Sequence, residues 1–473
     1  MSAATLEPPI LLQPLEQPRS KRVLLIAYNF PPVGGAGVQR PAKWAKYLGQ
    51  AGWDVTVLTT ENPSVPVRDE SLLHDLPAEV NIVRARTWEP DYRVKKNLIQ
   101  QSTTTPGFVQ RIKNALRGVA SRCVKLALQP DPQVLWNYDA IRVGSKALRE
   151  QPHDAILVTA PAYSSFYIGA ALKRRFGLPL VLDYRDEWDL SGKYLENAQR
   201  DWMSRLIQSR MQRRLLRRAD AVVATTQRST QALAEKLADL RHSIPASCIY
   251  NGFDAEDFAP CEVASQDVAC DAMRPERGKF RLVYIGTLWN LTDINPLVRA
   301  IEHLDNHHPE LSAKLELVCV GRKTPEQLAF LNRLKNTAAK LITIDYCEHS
   351  QALQWLRSAS SLCLLLSDVP GADRVVPAKL FEYLAIRKDM LTISPSGETA
   401  EIVRRFYPQG QFTPNQVHEI SNWLKQRLAA HGDTQPTSID ESALDEFSRK
   451  SQSRQLAELL NTLVASPSRR RGT

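Results

Sequence analysis

Short apolar runs alternate along most of the chain with longer stretches whose apolar positions recur every three or four residues. In the first half, strands are predicted at Val23–Tyr28, Val55–Thr59, Val80–Ala85, Ala155–Thr159, Leu180–Asp183, Ala221–Thr225 and Cys248–Tyr250. In the second half they are predicted at Phe280–Ile285, Leu315–Val320, Leu341–Ile344, Ser361–Leu366 and Met390–Ile393. Continuously apolar strands are buried on both faces, and helices between them predict parallel sheets. That is too many strands for one comfortable doubly wound sheet. The polar, Pro-containing stretch 254–279 has no periodicity and parts the two groups. The expectation is an α/β chain with two Rossmann-like units, 21–253 and 280–430, joined by 254–279. A helical region at 431–465 and tails at 1–20 and 466–473 complete it. Open parallel sheets bind ligands beyond the carboxyl ends of their strands, so two such units predict a cleft between them.

The stretch 155–172 carries no charge and has the length of a membrane span. Pro161 and the polar Thr159, Tyr163, Ser164 and Ser165 interrupt it, so a buried strand, a turn and a helix are expected. Hydrophobic residues make up 43% of the 473 and charged residues 24%, which excludes a disordered, collagen-like or polytopic membrane chain. Lys and Arg total 61 against 51 Asp and Glu, a net +10 that favours polyanionic partners. The seven cysteines are scattered and several lie in apolar runs, as expected of reduced core residues in a reducing compartment. Residues 1–20 lack a basic segment followed by an apolar one, so no secretory signal is expected there.

Four segments carry candidate chemistry. The first strand runs into Asn29-Phe30-Pro31-Pro32-Val33-Gly34-Gly35-Ala36-Gly37, and a helix with Arg40, Trp44 and Leu48 follows. Glycines between a strand and a helix N-terminus let backbone N–H groups approach a phosphate. The spacing is not that of a dinucleotide fingerprint. Asp183-Tyr184-Arg185-Asp186-Glu187 ends a strand with charge that must be solvated, paired or functional. Structural pairing of Arg185 with Asp183 or Asp186 is one reading; a carboxylate that deprotonates an acceptor hydroxyl is the other. Asn251-Gly252-Phe253-Asp254 is by itself a turn signal. In 369–385 a loop opens a helix near Pro377. Arg374 and Lys379 there can gather around a diphosphate, and Glu382 can accept two hydroxyl hydrogen bonds from a ribose.

The glycine loop, the Asn-Gly-Phe-Asp turn and the Lys379-Leu-Phe-Glu-Tyr-Leu-Ala385 helix, in that order, resemble family 4 glycosyltransferases of the GT-B fold. The Asp-Tyr-Arg-Asp-Glu-Trp run looks like a subgroup acting on bacterial surface polysaccharides. The resemblance spans roughly 21–405. It implies a nucleotide-sugar donor held mainly by the second unit and an acceptor held by the first, with retention at the anomeric carbon, no metal and no cofactor. It implies that Gly34 and Gly35 approach the donor phosphate, that Gly286 borders the cleft and that Glu382 holds the ribose. The chain departs from the pattern at three points. Arg374 stands where many relatives carry an earlier glutamate. Gly286–Pro296 lacks the usual Lys-Gly pair, and Arg185 replaces a histidine. Arg374, Lys379, Arg322 and Lys323 are the candidate substitutes for the missing cations.

Between Asp91 and Asp131 there is no acidic residue. A helix expected over 108–128, in a basic insertion at 92–130, would gather its apolar side chains on one face. Arg111, Lys113, Arg117, Arg122 and Lys125 occupy the remainder, a division suited to an anionic membrane surface or acceptor. The six arginines of 205–218 overlap apolar positions, as in a structural helix. His303 and His307 stand at helical spacing without a third ligand of suitable spacing, so no metal site is expected.

These readings converge on a cytoplasmic glycosyltransferase, peripheral on the inner face of the membrane. Its partners would be a nucleotide sugar and a lipid-linked or glycan acceptor, with no nucleic acid. Asp186 would handle the acceptor proton and Arg185 would stabilise charge. The competing readings are an epimerase or hydrolase of the same fold, which needs no acceptor, and a non-catalytic basic binding protein.

Overall fold

The computed structural model describes residues 20–465, apart from 66–67, 91, 93–127, 191–201, 259–272, 274 and 431–438. The expected basic helix, with Arg111, Lys113, Arg117, Arg122 and Lys125, lies outside the described residues.

The first sheet contains β1 (Lys21–Ala27), β2 (Trp53–Thr60), β3 (Asn81–Ala85), β4 (Ala155–Ala160), β5 (Leu180–Tyr184), β6 (Ala221–Ala224) and β7 (Ala246–Cys248). Its strand order is β3-β2-β1-β4-β5-β6-β7 and its pairs are parallel. Helices α1 (Ala36–Gln50), α2 (Asn137–Glu150), α3 (Ser165–Phe176), α4 (Trp202–Leu216) and α5 (Gln227–Asp239) accompany it. The uncharged stretch at 155–172 is β4 running into α3. No helix among the described residues is long and apolar enough to cross a membrane.

The second sheet contains β8 (Phe280–Ile285), β9 (Leu315–Val320), β10 (Lys340–Ile344), β11 (Ser361–Leu365), β12 (Asp389–Ile393) and β13 (Gln411–Phe412). The order is β10-β9-β8-β11-β12-β13, again with parallel pairs. Its helices are α6 (Asn295–His307), α7 (Pro325–Arg333), α8 (His349–Ser358), α9 (Lys379–Ile386), α10 (Glu398–Phe406) and α11 (Val417–Ala429). Every residue of β4, β9 and β11 is buried, which explains their unbroken apolar pattern. β13 has two residues and no periodicity to detect.

Two features depart from the sequence reading. The seventh strand is Ala246–Cys248 rather than Cys248–Tyr250. The carbonyls of Ile249 and Tyr250 leave strand geometry to accept hydrogen bonds from Arg40 at 2.9 and 2.7 Å. The segment after residue 253 also begins as part of the first unit. Asp254 is buried, contacts Lys43 at 2.5 Å and accepts from Tyr47 Oη at 2.6 Å. The carboxylates of Asp75, Asp254 and Glu256 converge here, but the ammonium groups of Lys43 and Lys46 lie among them and offset most of their charge.

The last helix, α12 (Arg449–Ala465), returns to the first sheet. Its Leu456, Ala457 and Leu460 pack in one cluster with Val23, Trp44 and Trp53. Its start is tied to the Asn-Gly-Phe-Asp turn: Phe253 N–H donates to Phe447 O at 3.0 Å and Arg449 N–H to Phe253 O at 2.7 Å. Gly252 has φ +58°, and a Cβ there would lie 2.4 Å from Phe447 O, so only glycine admits this approach.

Candidate active cleft

A cavity of about 380 Å³ opens beyond the carboxyl ends of β1, β5 and β6, and the loop between β11 and α9 closes its other side. Parallel sheets place their ligand sites at this end.

The charged end of β5 divides its labour. Asp183 is fully buried and paired with Arg40 at 2.8 Å, and it accepts a second bond from Thr159 Oγ1 at 2.7 Å. Of the two structural pairings open to Arg185, the one with Asp183 gives way to Arg40–Asp183. Arg185 donates to the carbonyls of Ala160 and Pro161, the latter at 2.7 Å. Its Nη1 is buried and has no partner. Gly37 makes room for it, since a Cβ there would lie 3.2 Å from Nη1. Burial pulls the Arg185 pKa down, Asp186 and Asp183 oppose that, and Arg40 adds to it.

Asp186 is exposed within the cleft, yet protein surrounds it closely. That desolvation raises its carboxyl above the ordinary range, and Arg185 partly offsets the rise. Glu187 is buried and pairs with Arg374, on the opposite wall, at 2.8 Å. Burial raises its pKa against the pull of Arg374. The expectation that Arg374 replaces a phosphate-binding cation is thus qualified, because a carboxylate already engages it. Of the three loop glycines, Gly37 stands on the cavity wall, whereas Gly34 and Gly35 lie outside it.

Gly286 and Lys379, distant in sequence, meet at the end of β8. Gly286 has φ +131°, and a Cβ would lie 2.3 Å from Lys379 Nζ. Lys379 donates to Tyr284 Oη at 3.0 Å. Burial pushes its pKa down to about 8, with Cys363 and Glu382 opposing. Glu382 sits one turn along α9 and is half-buried. Lys323 donates to the carbonyls of Gly321 and Ile344 at 2.5 and 2.6 Å, so its ammonium is spent on the ends of β9 and β10. Arg322 is exposed and stands outside the cavity.

Three contributors have no local signature. Arg40 looks like any polar helix residue. Glu398, at the start of α10, accepts from the N–H groups of Gln227 and Arg228 at 2.7 and 2.9 Å, capping α5 from the other unit. Arg449 reaches the cavity from the start of α12. The histidine pair also gains a neighbour: His418 of α11 places Nδ1 3.0 Å from His303 Nε2.

Residues 34–252 match the model of the Glycosyl transferase 4-like domain. No curated protein matches the chain. Among solved structures, HepE of Anabaena in complex with UDP-glucose is similar over 93% of this chain and 99% of its own, with TM-score 0.58 and 14% identity. A UDP-forming trehalose-phosphate synthase from Burkholderia xenovorans matches 94% of this chain and all of its own, at TM-score 0.57 and 11% identity. The sucrose-phosphate synthase of Thermosynechococcus elongatus matches 94% of this chain and 96% of its own, at TM-score 0.54 and 14% identity. These likenesses establish the GT-B fold, with the β1–β7 sheet in its first half and the β8–β13 sheet in its second.

Proposed function

We propose that this protein is a glycosyltransferase that moves a sugar from a nucleoside-diphosphate donor to a hydroxyl of a lipid-linked or cell-envelope acceptor, with retention of anomeric configuration. The observation that carries the reading is the convergence of Gly37, Arg185 and Asp186 with the Arg374–Ala378 loop around one cavity between two parallel sheets. The family match and the fold support the reaction class.

In this reading the acceptor oxygen bonds to the anomeric carbon. The bond from that carbon to the donor's phosphate oxygen breaks, and its electron pair leaves on the diphosphate. The acceptor proton passes to Asp186, whose raised pKa suits it to accept one. Negative charge grows on the leaving group, where preorganised cations stabilise it. Gly286 and Lys379 supply one such position and Glu382 the ribose contact.

The peripheral placement, on the cytoplasmic face of the membrane, is supported by α4. That helix has no acidic residue, and it exposes Trp202, Met203 and Leu206 beside Arg205, Arg210, Arg213 and Arg214. Aromatic and apolar tips among arginines suit an anionic interface. The test is thermal stability with UDP, GDP, ADP and TDP, followed by sugar transfer from the matching donors. A ligand at 100 times its dissociation constant stabilises the native state by about 2.7 kcal/mol. A shift with one nucleotide and transfer of its sugar are expected; no shift with any of them overturns the reading.

A further inference from the structure

Four guanidinium groups reach the cleft wall, and two of them have their charge matched. Arg40 is paired with Asp183 and Arg374 with Glu187. Arg185 and Arg449 are not so served. Arg185 spends Nε and Nη2 on carbonyls and leaves Nη1 buried without a partner. Asp186 lies close enough to favour its charge but forms no ion pair with it. Arg449 is only 8% exposed and lines the same cavity. Among the described residues its guanidinium has neither a hydrogen bond nor an ion pair; only its backbone N–H is engaged, by Phe253. Arg40 lies near enough to disfavour the charge of both, and at Arg449 the carboxylates of Glu382, Asp257 and Asp254 offset this and burial only in part.

A buried guanidinium without acceptors is expensive. Arg185 holds one such buried nitrogen, and Arg449 opens onto the same cavity without a protein acceptor, so a ligand that supplies acceptors to both is favoured. The planar fork of arginine matches phosphate oxygens, which can accept from two N–H groups at once. Gly37, in the first turn of the 15-residue α1, stands against Arg185 and lets a ligand approach the start of that helix. The chain also lacks Lys or Arg in the stretch that follows Gly286.

We propose that Arg449 and Arg185 together form a phosphate-binding clamp in the cleft, with Arg449 delivered from the C-terminal helix by its bridge to Phe253. This rests on the reading of the cleft as a nucleoside-diphosphate-sugar site and names the groups that grip the anion. The clamp joins residues far apart in the chain, and Arg449 lies outside the matched 34–252 segment.

The test uses the full-length chain with inorganic pyrophosphate, UDP, GDP and uridine as probes, read by thermal shift and calorimetric titration. Pyrophosphate is expected to raise Tm. Arg449→Met keeps the side-chain length and removes the charge. It should leave the unliganded protein as stable as wild type or more so, and abolish the pyrophosphate shift. It should also weaken the bound nucleoside diphosphate by about tenfold or more, the worth of a hydrogen bond to a charged group. Arg185→Met should likewise abolish the pyrophosphate shift and weaken the nucleoside diphosphate, at some cost in stability because it takes side-chain donors from the carbonyls of Ala160 and Pro161; uridine binding should change in neither. Competition between pyrophosphate and the nucleotide assigns the clamp to the donor; simultaneous binding assigns it to a phosphate on the acceptor. An Arg449→Met protein that is less stable and still shifts with pyrophosphate overturns the clamp, as does the absence of any shift in wild type. Sugar transfer that survives Arg449→Met unchanged overturns the clamp and leaves the transferase reading standing. Loss of the pyrophosphate shift in Arg449→Met, with no nucleotide binding to wild type, supports the clamp and removes the transferase reading.

Discussion

Glu187 and Arg374 join the two walls of the cleft: the Glu187 carboxylate, 3% exposed, accepts from Arg374 Nη1 at 2.8 Å. The carbonyl of Arg374 in turn accepts from Thr226 Oγ1 at 2.9 Å. The pair therefore fixes the loop before α9 against the first unit. Removing Arg374 would strand a buried carboxylate, at a cost of about 3 kcal/mol. Arg374→Ala should lower the urea midpoint accordingly, and adding Glu187→Gln should restore much of the loss. An unchanged midpoint in Arg374→Ala would mean that the contact contributes nothing.

Asp186→Asn should lower turnover by about 10²- to 10⁴-fold, the usual worth of a positioned base, with nucleotide affinity unaltered. Because burial raises the Asp186 pKa, the wild-type turnover profile should climb with pH through a limb above the ordinary carboxylate range. Below that limb the carboxyl is protonated and cannot accept. Single-turnover rates across pH decide this, and an undiminished Asn variant would remove Asp186 from the chemistry.

Lys379 has its pKa pushed down to about 8. Its ammonium is present below that pH and lost above it, so pyrophosphate or nucleotide binding should weaken as pH rises past about 8, with proton uptake on binding. Lys379→Arg should flatten the dependence. Gly286→Ala should impair binding at every pH, because its Cβ would occupy the place of Nζ. Titration calorimetry in buffers of different ionisation enthalpy measures the proton count.

Asp131 is buried beside the start of α3, where it accepts from Ser164 N–H at 3.0 Å and leaves Oδ1 unpartnered. Burial raises its pKa from 3.8 to about 6. The folded chain then binds more protons than the unfolded one between those values, so this group makes stability fall as pH rises through that window. Asp131→Asn abolishes the effect. Its stability relative to wild type should improve from about pH 4 to pH 7 by up to roughly 3 kcal/mol. A constant difference across pH would show that Asp131 does not titrate there.

Much of the fold is legible along the chain. Each predicted strand coincides with or overlaps an observed one, because strands buried on both faces must be continuously apolar. The missed β13 is too short to carry a pattern. The site is legible only in part. The resemblance singled out Gly286 and Glu382, the loop before α9 singled out Lys379, and charge at a strand end singled out Arg185 and Asp186, of which only the last two line the cavity. Arg374 and Lys323 could not be told from free cations, since their partners, Glu187 and the carbonyls of Gly321 and Ile344, are decided by packing.

Local sequence thus determined the alternation of strand and helix, the two parallel sheets and the loops that border the cleft, since each depends on neighbours a few residues away. Which charges are neutralised depends on side chains that meet only after folding. Arg40 takes Asp183 across 143 residues, and that leaves Arg185 without a carboxylate partner. Gly252 admits the 447–449 segment, and that carries Arg449 into the cleft. Electrostatic pairing of buried groups acts through space at contact range, so only the tertiary structure could decide which cations remain for a ligand.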